Sequence, residues 1–206
     1  MVISLAHDKG GVGKTTISTN LIVQLLQDHK SINVIDLDPK RHLTKFVTRR
    51  DDPRINLLEF GSTKDLISIL ENNSSILLID VGGLDSDQTR TAIVYSNRVI
   101  TPLADSQIEL DGLIEFKKVI KDLQAVRSDL RATVLFNRIH PKTNKTLLDL
   151  REFLKGQEDI FNVFDTVIRD RAAYKVAYAA AKSVTEITGA AKAATEIYNL
   201  TKEIQQ

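Results

Sequence analysis

Lys9-Gly10-Gly11-Val12-Gly13-Lys14-Thr15-Thr16 lies between an apolar run, Val2-Ile3-Ser4-Leu5-Ala6, and an amphipathic stretch from Ile17 to Gln27. A glycine-rich turn that joins a strand to a helix aims successive backbone N–H groups, and the positive end of the helix dipole, at one place where a polyphosphate can lie. The turn from Gly10 to Gly13 is that cradle, completed by Lys14, Thr15 and Thr16 at the start of the helix behind it. Lys14 reaches the β and γ phosphates, and the Thr15 hydroxyl binds Mg²⁺. The ordinary pattern has glycine five residues before Gly13, where this chain has Asp8. A carboxylate beside phosphates is unfavourable unless it points away or is paired. A second lysine, Lys9, opens the glycine run instead.

Short β-branched runs alternate with helical segments along the chain. Residues Ile32 to Asp36, Ile76 to Asp80, Arg98 to Pro102, Ala132 to Asn137 and Asn162 to Ile168 read as strands after the first. Helices are expected over Lys14 to His29, Lys64 to Glu71, Asp87 to Ser96, Glu109 to Val126, Lys145 to Lys155, Arg171 to Lys182 and Gly189 to Gln206. This alternation argues an α/β fold with a doubly wound, mainly parallel sheet and helices on both faces. The runs Ile76-Leu77-Leu78-Ile79 and Thr133-Val134-Leu135-Phe136 carry no polar alternation, as central strands covered on both faces require. The 206 residues suit one domain, residues 1–206, and Asp51-Asp52-Pro53 reads as a surface turn within it.

Composition narrows the chemistry. The absence of cysteine excludes disulfides, zinc-thiolate sites and iron–sulfur clusters together. A formal net charge of +1 favours no partner. The chain opens directly on its first strand, so no signal peptide is expected, and no apolar run approaches the ~20 residues of a membrane span.

The K-G-G-x-G-K-[ST]-T form resembles the deviant Walker A motif of the ParA/MinD superfamily of P-loop ATPases. The resemblance implies ATP and Mg²⁺ as cofactors. It also implies that Lys9 crosses a dimer interface to touch phosphates held by the other subunit, so that ATP binding and homodimerisation are one event. The missing cysteines set aside the nitrogenase-reductase-like and iron–sulfur-carrier branches. Similarity extends to Thr101-Pro102, to Glu109-Leu110-Asp111-Gly112-Leu113, and at the end to Thr166-Val167-Ile168-Arg169 and Lys182-Ser183-Val184.

In open α/β sheets ligands lie at the carboxyl ends of the strands. Asp36-Leu37-Asp38-Pro39 is similar to the family's D-x-D-P segment. The resemblance gives Asp36 a place in the Mg²⁺ shell through water and makes Asp38 orient the attacking water, and Mg²⁺ chemistry suits such a pair. Two helix-capping aspartates are the alternative. Lys40 stands where the family usually has Gln. Asp80-Val81-Gly82-Gly83 looks like a Walker B aspartate with a glycine switch, Val81 replacing a frequent Pro, and Asp80 would hold Mg²⁺ through water. Its alternative is a loop cap. Asn137-Arg138 resembles the adenine-binding segment. Asn137 can donate to and accept from an adenine edge, or serve as an ordinary turn residue.

Charge is clustered. From Lys40 to Arg54, Lys40, Arg41, Lys45, Arg49, Arg50 and Arg54 face only Asp51 and Asp52. Between Thr166 and Lys182 come Arg169, Arg171, Lys175 and Lys182 against Asp170. If 171–182 is one helix, Arg171, Lys175, Tyr178 and Lys182 share roughly 60° of arc. Such a stripe can run along a phosphate backbone, or be a solvated face. The resemblance favours the first, because ParA dimers bind DNA without sequence preference through basic residues towards the C-terminus.

The expected function is therefore a DNA-segregation ATPase, weakly active alone, most like the small plasmid-type ParA proteins that lack an N-terminal helix-turn-helix. Its ATP dimer would coat nucleoid DNA in the cytoplasm and be released by a centromere-bound ParB-like adaptor that stimulates hydrolysis. The alternative is a MinD-like ATPase positioning a membrane or polar assembly. MinD-type proteins end in a basic amphipathic helix. Here Ala190, Ala194, Ile197 and Ile204 share a side, and Glu196 and Glu203 balance Lys192 and Lys202, which suits packing on the chain's own domain. Ligases of the same fold would need a substrate pocket that no motif here supplies.

Overall fold

The computed structural model describes residues 1–84, 86–141 and 145–206, without the side chain of 146. Seven parallel strands form one sheet: β1 (Val2–Leu5), β2 (Ile32–Asp36), β3 (Ile55–Leu57), β4 (Ile76–Asp80), β5 (Arg98–Leu103), β6 (Ala132–Phe136) and β7 (Phe161–Val163). Their order is β3-β2-β4-β1-β5-β6-β7, and all pairings are parallel. The order runs one way from β1 through β4 and the other way through β5, so β1 stands at the switch point, where such sheets open a ligand crevice.

Eight helices cover the sheet among the described residues: α1 (Lys14–Leu25), α2 (His42–Arg50), α3 (Thr63–Glu71), α4 (Asp87–Tyr95), α5 (Gln107–Leu123), α6 (Lys145–Leu154), α7 (Ala172–Ala179) and α8 (Ala191–Gln205). The unalternating strands are explained by two cores. In β4, Ile76 and Leu78 face the core of α1, α2, α7 and α8, whereas Leu77 and Ile79 face that of α3, α4, α5 and α6. Helix α1 is buried nearly all round, which is why polar Ser18, Thr19 and Asn20 are enclosed with Ile17, Leu21 and Ile22. The apolar side of α8, with Ala193, Ile197, Leu200 and Ile204, is fully packed into the first core.

Several boundaries differ from expectation. Helix α2 and edge strand β3 form within 40–57, where the sequence shows only a basic cluster and a turn. Helix α2 begins after Arg41 in the left-handed region, with no side-chain cap of its own. The last strand stops at Val163 rather than Ile168; beyond it only a bridge of Arg169 to Ile139 continues the ladder. Helix α7 spans neither end of 171–182. Arg171 is its extended N-cap, and Ala181, at φ 53°, turns the chain out of the helix. The Lys182 N–H bonds the Ala177 carbonyl at 2.9 Å, closing a Schellman-type end.

Candidate functional site

The carboxyl ends of β1, β2, β4 and β6 meet at one edge of the sheet. After β1 the loop takes positive φ at Gly11 (82°) and Gly13 (101°), a region open to glycine. At Gly13 the demand is also steric, since a Cβ would come within 2.3 Å of Asn137 Nδ2. Asn137 is buried and donates to the Val12 carbonyl at 2.7 Å, while Arg138 donates to Gly11 O at 3.1 Å. The end of β6 thus grips the phosphate loop from beside it.

Lys14 is only 6% exposed, and its Nζ donates to the carbonyls of Lys9 (3.0 Å) and His7 (3.4 Å). Burial lowers its pKa, opposed by the charges of Asp80, Asp38 and Asp8. Asp8 is exposed, and its charge favours the Lys14 ammonium.

The Thr15 hydroxyl donates to Asp80 Oδ2 at 2.6 Å. Asp80 is 1% exposed, and its Oδ1 has no hydrogen-bond partner among the described residues. Burial pushes its carboxyl up to about 7; the Thr15 bond opposes this, and the charges of Asp36 and Asp38 add to it. Asp36 stands beside Asp80 in the β2–β4 register. Hydroxyl and carboxylate oxygens of this kind fit Mg²⁺, which takes one or two carboxylates and otherwise keeps water and phosphate oxygens. The unpartnered Oδ1 is the atom that points to such an ion.

Asp36 is otherwise engaged. Its Oδ1 accepts from the Asp38 N–H at 3.1 Å, and its Oδ2 accepts from the Thr44 N–H (2.8 Å) and hydroxyl (2.9 Å). It therefore caps α2 from outside, the task the Arg41 side chain leaves undone. Asp38 Oδ1 accepts from the Lys40 N–H at 2.8 Å. Asp36 thus caps α2, while Asp38 holds the turn before it rather than a helix end. Gly82 is needed where this turn meets the end of β4: a Cβ there would lie 2.9 Å from Asp38 Cα.

Beside Lys9 stand His7, which the sequence reading missed, and Gly112, which it placed only in a family-like stretch. A Cβ on Gly112 of α5 would come 2.5 Å from Lys9 Cγ and 2.7 Å from His7 Cε1. His7 is fully buried, accepts the Lys9 N–H on Nδ1 at 2.9 Å and stacks on Phe116 at 6.3 Å. Its Nε2 has no partner among the described residues. Burial, then Lys14 and Lys9, pull its pKa from 6.5 to about 4. In that window the unfolded chain binds the extra proton, so stability falls as pH drops from 6.5 towards 4, by at most about 1.4 kcal/mol per pH unit. Denaturant titrations of wild type and His7→Gln across this range check it: the variant loses that part of the slope.

The expected basic stripe is not formed. Arg171 and Lys182 lie outside α7, leaving Lys175 and Tyr178 on it. Arg171 is tied to Glu196, Nη2 to Oε1 at 2.6 Å, and Tyr174 donates to the same carboxylate at 3.1 Å. The Arg169 N–H donates to Glu196 as well, at 3.2 Å. Glu196 is 25 residues beyond Arg171, so no local pattern announces it. Arg169, Arg171 and Lys175 line a cavity of about 230 Å³ together with Gly13, Thr16 and Asn137. Three of the four predicted DNA contacts thus stand at the phosphate loop itself. Lys182 lies apart from that cavity, next to Arg49 and Arg50.

Residues 3–184 match the model of the CobQ/CobB/MinD/ParA nucleotide-binding domain. The chain belongs to this family. Among its relatives, maintenance of carboxysome distribution protein A of Halothiobacillus neapolitanus is 24% identical over 210 residues, covering 98% of this chain and 95% of that protein. A plasmid partition protein from Borrelia burgdorferi shares the fold with TM-score 0.64 and 18% identity, over 98% of each chain. The septum site-determining protein MinD of Pyrococcus horikoshii OT3, complexed with Mg-ADP, does so with TM-score 0.72 and 14% identity, over 100% of this chain and 96% of that one. The strand ends described above are therefore those of a ParA/MinD-type nucleotide-binding fold.

Proposed function

We propose that residues 1–206 act as a ParA-type partition ATPase, whose ATP-bound homodimer binds DNA without sequence preference. A ParB-like adaptor on the cargo stimulates hydrolysis and releases it. The observation that carries this reading is Lys9. Its ammonium makes no hydrogen bond or ion pair among the described residues, while its backbone is fixed on both sides, by His7 to its N–H and by Lys14 to its carbonyl. A cation held at the mouth of a phosphate loop, and not used by its own loop, suits phosphates on a second subunit.

In this reading the triphosphate lies on Gly10 to Thr16 and the base enters the cavity beside Asn137 and Arg138. Asn137 keeps its amide oxygen for an adenine amino group, its Nδ2 being held by Val12. Thr15 and, through water, Asp36 and Asp80 would hold Mg²⁺, which neutralises phosphate charge when bound. Asp38 orients the attacking water. For Asp36 to do this it must share or leave its bonds to Thr44.

The MinD-like alternative asks for a lipid-binding helix. The packed apolar side of α8 disfavours it there, and among the described residues no helix is long and apolar enough to cross a membrane. Sedimentation with linear DNA or with anionic vesicles, in ATP and in ADP, separates the readings. Pelleting with DNA in ATP alone is expected. Pelleting with vesicles and not with DNA would establish the alternative.

A further inference from the structure

The cations counted along the chain do not survive equally in the fold. Arg41 pairs with Glu59 at 3.0 Å, Arg54 with Asp52 at 2.8 Å, Arg50 with Glu186 at 2.8 Å and Arg171 with Glu196 at 2.6 Å. Lys45, Arg49, Lys175 and Lys182 have no carboxylate partner among the described residues, and all four are exposed. Two come from each of two stretches about 130 residues apart, and the fold brings those stretches together. Arg49 donates from Nη2 to the Tyr178 carbonyl at 3.1 Å and lies 5.0 Å over the Tyr178 ring. Tyr178 in turn donates its hydroxyl to His42 O at 3.1 Å, so its side chain spans α2 from end to start. Lys45 lies one turn before Arg49 on α2. Lys175 lies one turn before the carbonyls that Arg49 holds, and Lys182 follows them.

We propose that this α2–α7 corner, with Lys45, Arg49, Lys175 and Lys182, is the surface that takes the phosphate backbone of double-stranded DNA. The proposal rests on the partition reading and relocates its DNA contact from the Arg169–Arg171 end of α7 to the opposite end and to α2. Phosphate contacts come characteristically from Lys and Arg interleaved with Thr and Tyr hydroxyls. Here Lys45, Thr48, Arg49 and Tyr178 line one cavity of about 730 Å³ that reaches Thr15 and Thr16 of the phosphate loop. An acidic protein segment would meet the same cations, but lysine and arginine interleaved with Thr48 and Tyr178 hydroxyls over two helices suit a run of regularly spaced phosphates. Helix α2 is also gripped at Thr44 by Asp36, so the helix that carries Lys45 and Arg49 is hydrogen-bonded to a residue of the proposed Mg²⁺ shell.

The test is fluorescence anisotropy with two unrelated duplexes across a salt series, in ATP and in ADP, on Lys45→Ala, Lys182→Ala and the double charge reversal Lys45→Glu/Lys182→Glu. The side chains of both lysines are exposed and make no hydrogen bond or ion pair among the described residues, and the substitutions leave their backbone bonds in place, so folding is not at risk. Each alanine variant removes two contacts from a two-fold dimer. The slope of log affinity against log salt should then shrink by about 2, with affinity falling roughly 50-fold near 0.1 M salt, equally for both duplexes. The double reversal should bind neither duplex, while light scattering still shows ATP-dependent dimers. If wild type binds both duplexes in ATP and these variants keep its affinity and slope, the corner is not the surface, although the partition reading stands. If wild type itself binds no duplex in ATP, both fall.

Discussion

Lys14→Ala should lose nucleotide binding outright, with ATP and ADP affinity falling by roughly 100-fold or more while the chain stays folded. The reason is placement. The ammonium is enclosed, and among the described residues its hydrogen-bond partners are two carbonyls of the loop it serves, those of Lys9 and His7. Each charge-assisted bond it would give a phosphate is worth about 1.5–3 kcal/mol, and two of them exceed a hundredfold. Folding has little to lose, because the variant removes a desolvated charge along with its two bonds. Titration with a fluorescent nucleotide, beside a circular dichroism melt, reads both quantities. Affinity within tenfold of wild type would mean that Lys14 does not reach the phosphates.

The features legible in the sequence are those carried by neighbours along the chain. The strand, glycine turn and helix from Val2 to Leu25 announce themselves because φ preference, dipole and burial all act within a few residues of one another. The β4 run ending in Asp80 was equally plain, since a strand covered on both faces needs apolar residues in succession. Helix α2 was not legible. Its N-terminus is capped by Asp36, which a strand holds six residues before the helix begins, so none of the usual start signals stands at Arg41. The charge stripe failed for the same kind of reason. Glu196, 25 residues along the chain, neutralises Arg171, a Schellman-type end removes Lys182 from the helix, and in the separate cluster from Lys40 to Arg54 Glu186 neutralises Arg50. His7 carried a signal that could have been used: a histidine directly after a buried strand and two residues before Lys9 has nowhere to go but inward.

Lys9→Ala should separate binding from assembly. Nucleotide affinity should stay within a few-fold of wild type, because among the described residues the Lys9 side chain makes no hydrogen bond or ion pair; the bonds in which Lys9 takes part there use its backbone N–H and carbonyl, which alanine retains. ATP-dependent dimerisation should vanish, and steady-state hydrolysis should fall by about 100-fold or more, the scale on which a cation supplied across an interface acts in phosphoryl transfer. Gly112→Ala gives an independent approach to the same lysine. Its new Cβ would sit 2.5 Å from Lys9 Cγ and 2.7 Å from the His7 ring, so both side chains must shift, the ring against its packing on Phe116. The Lys9 side chain must therefore move, at an overpacking cost of roughly 1–3 kcal/mol in stability. If the position of Lys9 is what assembly requires, Gly112→Ala weakens ATP-dependent dimerisation, and adding it to Lys9→Ala weakens assembly no further, the non-additivity of residues acting as one unit. Light scattering with ATP and a non-hydrolysable analogue reads the three variants together. A Lys9→Ala protein that dimerises on ATP as wild type does would remove the lysine from the interface and the deviant-motif mechanism with it.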